Sequence, residues 1–135
     1  MQNQFKFFER FWKTIGTMGI AISLGTTILY SAELKQYKAK QPLIEQGKQI
    51  FLENCIPCHG EKGKGDGPAA HNLPSKPRDL TNPPEYKYGE SLEIVLQTIS
   101  NGIPDTPMAP WGIKLSPDQI RAAATYIVDG LQEKK

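Results

Sequence analysis

The chain has 135 residues, 39% of them hydrophobic and 22% charged, and a formal net charge of +2. That size and balance fit one ordinary domain and exclude a disordered tail, a polytopic membrane protein and a multi-domain enzyme. A charge of +2 excludes a strongly basic nucleic-acid binder, and two cysteines are too few for a disulfide scaffold.

The averages hide zones. Residues 1–13 form a basic stub, with Lys6, Arg10 and Lys13 against Glu9. Residues 14–32 then run without a single charge, with ten apolar positions, four Thr, two Ser and three Gly. As a helix at about 1.5 Å per residue they span roughly 28 Å, close to a hydrocarbon core of about 30 Å. A buried soluble helix rarely runs this long without charge on any face, so a transmembrane helix is predicted here. A cleaved signal peptide is the rival, although cleavage after Ala32 puts Tyr30 where a small residue is expected. The basic stub favours a cytoplasmic N-terminus, a preference blunted by Lys35, Lys38 and Lys40. Phe5, Phe7, Phe8, Phe11 and Trp12 supply an aromatic belt at the entry interface and Tyr30 one at the exit. Gly19 with Ser23, Ala21 with Gly25 and Ser23 with Thr27 recur at four-residue spacing. They fit close packing on a partner helix and simple tolerance of small residues equally well.

Residues 33–135 carry equal numbers of basic and acidic side chains; within them 33–41 are polar and read as a linker, leaving 42–135 as a Pro/Gly-rich domain. Pro42 suits the first turn of a helix, and Leu43, Ile44, Gly47, Ile50 and Phe51 share one helical face. That helix runs straight into Cys55-Ile56-Pro57-Cys58-His59. Two thiols three apart, followed at once by a histidine, form the c-type heme attachment pattern. The spacing lets both sulfurs reach one edge of a porphyrin while His59 meets the iron.

Two other chemistries share this pattern. A thioredoxin-like redox pair needs a βαβ context, which the Pro/Gly-rich sequence after it does not offer. A structural zinc site needs four ligands, and Cys55, Cys58, His59 and His71 supply four at most.

A sixth iron ligand follows by elimination. Met1 is the terminus, Met18 lies in the uncharged run, and Met108 alone belongs to the domain. It sits in Thr106-Pro107-Met108-Ala109-Pro110-Trp111, where prolines stiffen an extended loop. Core packing is the other use of such a methionine, and His71 is the competing ligand.

Two more helices are predicted. Ser91–Ser100 carries Leu92, Val95, Leu96 and Ile99 on one face, with Asn101-Gly102 as the stop. Ser116-Pro117-Asp118-Gln119 has capping-box form, and Ile120, Ala123, Ala124, Ile127, Val128 and Leu131 then recur at helical spacing. No run alternates as a strand should. The fold class is all-α with long loops.

Over about residues 42–132 the chain resembles the class I c-type cytochromes, here in a membrane-anchored, monoheme form. The resemblance rests on Cys55–His59, the Met108 loop and the helices around them. It implies a cytochrome c-like domain in which the first and last helices cross, with Gly47 and Phe51 facing Tyr126. It implies that the Pro68 carbonyl accepts the second N–H of His59, which would fix the ring. Arg78 is the candidate partner of a heme propionate, the alternative being a solvated arginine. Trp111 is expected at the heme edge. The implied cofactor is one covalently bound heme c, held by Cys55, Cys58, His59, Met108, Pro68, Arg78 and Trp111, with His59 and Met108 on the metal. The implied function is single-electron transfer, without catalysis by the chain itself, as a tethered carrier or a heme subunit of a respiratory or photosynthetic complex. A peroxidase or gas sensor with a labile sixth ligand is the alternative. Redox proteins, membrane-complex subunits and the membrane itself, through residues 14–32, are the expected partners; nucleic acid is not. The implied location is the bacterial inner membrane, single-pass, with the heme domain on the periplasmic side.

Overall fold

The computed structural model describes residues 30–131, and the chain divides into two compact units, Met1–Ala39 and Lys40–Lys135. The expected transmembrane run lies outside the described residues except for 30–32. Among the described residues no helix is long and apolar enough to cross a membrane.

Residues 30–54 are helical (α1). This differs from the polar tether expected over 33–41 and from a helix starting at Pro42. Leu34, Lys35, Gln36, Lys38, Ala39 and Lys40 are all good helix formers, and polarity alone does not weaken a helix. Pro42 therefore sits inside helical backbone, where a proline costs about 3 kcal/mol. In the first unit, residues 30–39 are exposed, including Tyr30, Leu34 and Tyr37.

In the second unit a turn at Cys55 leads to the short helix α2, Ile56–His59. Two single 3-10 turns, Ala70–Asn72 and Pro83–Glu85, punctuate the long loop that follows. Helix α3, Leu92–Asn101, starts at Ser91, whose hydroxyl accepts from the Ile94 N–H, and stops at Gly102. Helix α4, Pro117–Thr125, carries the full expected capping box. Ser116 Oγ accepts from the Gln119 N–H at 3.3 Å, and Gln119 Oε1 accepts from the Ser116 N–H at 2.9 Å. α4 continues as one π-helical turn, Tyr126–Gly130. No strand occurs among the described residues, so the all-α expectation holds there.

The crossing of α1 on α4 has the expected residues at its centre. Gly47 lies so close to the Ala122 carbonyl that a Cβ there would overlap it, with Tyr126 Cβ only 2.8 Å away. The Phe51 and Tyr126 rings meet at 5.4 Å with a tilt of 57°. Such tilted aromatic pairs add to the burial term. Lys40 pairs with Asp129 at 2.9 Å across the same crossing. Ile50, Val95, Ile99, Ile120, Ile127 and Leu131 complete the core. The large side chains in it that are wholly shielded from solvent are Phe51 and Thr125.

Candidate heme site

A cavity of about 470 Å³ opens beside that core. Cys55 and Cys58 are one helical turn apart, so both reach its wall. Backbone bonds hold this turn tightly, with the His59 N–H donating to the Cys55 carbonyl at 2.8 Å. Burial, and then the neighbouring Cys58, push the Cys55 thiol up to about 11. His59 follows directly on the same wall. Burial lowers its pKa, opposed by its hydrogen bond to the Arg78 backbone, and so favours the neutral imidazole.

The His59 Nδ1 lies 3.2 Å from the Arg78 carbonyl. A carbonyl can only accept, so Nδ1 carries the proton and Nε2 keeps its lone pair, the form a metal ligand requires. This corrects the assignment of that role to Pro68. Pro68 is exposed and does not line the cavity. Its flanking amides are committed to α2, Gly67 donating to the Cys58 carbonyl at 3.2 Å and Ala69 to the Pro57 carbonyl at 2.8 Å. The strand of loop at 77–78 comes under His59 instead. Gly65, at φ 70°, makes this possible, because a side chain there would overlap the Pro77 carbonyl. The Leu80 N–H donating to the Gly63 carbonyl at 2.6 Å ties the two segments together.

Met108 and Trp111 reach the same cavity from a later stretch of the sequence. Arg78, whose carbonyl faces His59, also lines the cavity, and it is exposed. His71 lies on the exposed turn Ala70–Asn72, away from the cavity wall. That removes it as a competing iron ligand and as the fourth member of a zinc site. Among the described residues no group of three or more His, Cys, Asp or Glu is placed to hold a metal ion by itself.

Several wall residues carried no signal in the sequence. Tyr86 lines the cavity and donates its hydroxyl to the Leu80 carbonyl at 2.6 Å. Burial first, then Asp79 and Glu90, push its phenol up to about 12. Lys76 and Lys87 join Arg78 on the rim, and no Asp or Glu lines the cavity. Tyr86→Phe is expected to cost about 1 kcal/mol at neutral pH, the net worth of one hydrogen bond. An unfolded tyrosine ionises near 10, whereas folded Tyr86 holds its proton to about 12. Stability linked to this group is therefore full below pH 10 and is lost as pH rises towards 12. The phenylalanine variant should lack that part of the alkaline decline in a pH series of denaturant melts.

These residues fit a heme on chemical grounds. Two thiols stand beside an imidazole with a free lone pair, and a thioether comes from a separate loop onto the same cavity. Phe51, Val95, Ile99 and Ile127 give apolar walls for a porphyrin face, and three cations with no acid on the rim suit its carboxylates.

The comparisons with known proteins agree. The family described as cytochrome c matches residues 44–130. The cbb3-type cytochrome c oxidase subunit FixP of Azorhizobium caulinodans is 40% identical over 86 residues, covering 64% of this chain and 27% of that protein. Subunit CcoP of Azospirillum brasilense is 27% identical over 126 residues, covering 84% of this chain and 41% of its own length. The chain thus spans well under half of these curated relatives. A solved structure, the reducing HAO-like protein complex of Kuenenia stuttgartiensis, aligns at a TM-score of 0.63 and 34% identity, covering 67% of this chain and 44% of that one. The heme-binding constellation, the helical crossing and the family match lead to one conclusion: the chain belongs to the cytochrome c family.

Proposed function

We propose that this chain is a membrane-anchored monoheme c-type cytochrome that transfers single electrons as the heme subunit, or tethered carrier, of a respiratory complex. The observation that carries this reading is the placement of His59 and Met108 on the walls of one apolar cavity with both thiols. Bound there, heme c supplies an iron that takes up and releases one electron. Cys55 and Cys58 would tether it covalently. His59, oriented by the Arg78 carbonyl, and Met108 would both hold the iron, which suits electron transfer rather than substrate binding. A thioether ligand favours a high potential. Phe51, Val95, Ile99 and Ile127 exclude water, so the site needs little rearrangement between redox states. Lys76, Arg78 and Lys87 would neutralise the propionates.

Partner contact falls at the cavity mouth. Ile113 is 81% exposed, close in sequence to Trp111, and Tyr88 is exposed beside Lys87. Lys114 stands over the Trp111 ring at 5.4 Å. Exposed apolar side chains, with cations over Tyr88 and Trp111 on the cavity wall, suit the small, transient contacts of electron transfer. The relatives named as oxidase subunits support a respiratory setting, and the uncharged run 14–32 supports a single-pass anchor. A cytoplasmic stub at 1–13 would put the heme domain on the outer, periplasmic side of a bacterial inner membrane. Tyr30, near the end of that run, and Tyr37, just after it, are exposed on helical backbone and suit a membrane–water interface. Anchoring would raise the effective concentration of the domain near its partners.

Detergent extraction followed by native gel electrophoresis and heme staining tests this reading. Heme stain is expected only in the membrane fraction, running with a larger complex or as a detergent-bound carrier. Heme stain in the soluble fraction overturns the anchor. A strongly negative midpoint in a redox titration overturns the His59/Met108 pair.

A further inference from the structure

The loop that presents Met108 closes on itself. The Ile103 N–H donates to the Met108 carbonyl at 2.9 Å, and the Thr106 N–H donates to the Ile103 carbonyl at 3.2 Å. Pro104 and Pro107 have no N–H, so this six-residue turn has few backbone donors to hold it. The Thr106 side chain makes up the shortfall. Its hydroxyl donates to the Ile103 carbonyl at 2.8 Å and accepts from the Met108 N–H at 3.2 Å. One oxygen thus joins the start of the turn to the amide of the methionine. The turn also holds Asp105 at φ 60°, the one positive φ outside glycine among the described residues. A non-glycine residue in that conformation needs its surroundings to hold it.

We propose that Thr106 is the positioning residue for Met108: its hydroxyl clips the 103–108 turn shut and sets how often the thioether leaves its place on the cavity wall. This rests on the reading of Met108 as an axial ligand. Opening the turn lets Met108 swing away, and it breaks the hydrogen bond from the Met108 N–H to the Thr106 hydroxyl. The clip therefore acts on the attached–detached equilibrium, without touching the iron.

The test uses the full-length holoprotein. Thr106→Val keeps the branched shape and removes the hydroxyl; Thr106→Ser keeps the hydroxyl. Two exposed hydrogen bonds of modest net worth correspond to about a five- to tenfold change in the opening equilibrium. Carbon monoxide binding to the ferrous protein reads that equilibrium, because the gas needs the methionine's position. The valine variant should bind it about five- to tenfold faster, and the serine variant should return to within about twofold of native. The sulfur-to-iron charge-transfer band of the ferric valine variant should fade at a lower pH than in the native protein. Native-like binding in the valine variant, or a serine variant that behaves like valine, overturns the proposal. If the valine variant yields no holoprotein, Thr106→Ala serves as the hydroxyl-free form, judged by the same rates. A native protein that lacks the charge-transfer band refutes the assignment of Met108 itself. A native band with an unmoved hydroxyl-free variant refutes only the role of Thr106.

Discussion

Met108→Ala is expected to abolish the sulfur-to-iron charge-transfer band and to lower the midpoint potential by on the order of 0.1–0.3 V, within the roughly 0.8 V that axial ligands span. The thioether favours ferrous iron, and its loss leaves water or a weaker donor in its place. Ferrous carbon monoxide binding should become fast and complete. The fold should change little, because Met108 is only half-buried and its loop is closed by the Ile103 and Thr106 backbone. Persistence of the band, or an unmoved potential, would show that Met108 packs rather than ligates. Absorption spectroscopy and a redox titration on one preparation suffice.

Gly47→Val should be the most damaging substitution outside the heme-binding residues. A Cβ at 47 overlaps the Ala122 carbonyl and lies 2.8 Å from Tyr126 Cβ. Those are backbone and first side-chain atoms, so no rotamer change relieves the clash. α1 and α4 would have to separate, which opens the Phe51–Tyr126 contact and strains the Lys40–Asp129 pair. A cost of about 3 kcal/mol or more is expected, a large share of the roughly 5–15 kcal/mol that holds a typical domain together. Heat denaturation of the holoprotein measures it. Even Gly47→Ala should lower the melting temperature clearly; a native-like melt for the alanine variant would mean that the crossing is not close-packed.

Much of the fold and the site is legible in the sequence. The Cys55–His59 motif, the Ser116 capping box and the faces of α3 and α4 are local patterns that side-chain chemistry writes directly into sequence. Elimination among the three methionines points to Met108, and Met108 lines the cavity with the two thiols and His59. Gly47, Phe51 and Tyr126 came through family resemblance and meet as expected. The acceptor for His59 was misassigned to Pro68 for a physical reason. Every residue owns a carbonyl, so nothing in the letters distinguishes the one at 78. The 73–89 loop was opaque for the same reason. Tyr86, Lys76 and Lys87 reach the cavity through non-periodic backbone, held by the Tyr86–Leu80 and Leu80–Gly63 bonds. The helix through 33–41 is hidden by its polarity, although lysine, glutamine and alanine are strong helix formers.

The backbone acceptor at residue 78 also bears on how this protein can change over evolutionary time. A histidine oriented by a side chain is one mutation away from disorientation. A histidine oriented by a main-chain oxygen is shielded from that, because substituting Arg78 alters the side chain and leaves the oxygen in place. The charge at the cavity mouth and the alignment of His59 therefore meet in one residue yet vary independently. Rim charge can drift to suit a new redox partner while the imidazole stays set, and the converse change requires moving the chain itself.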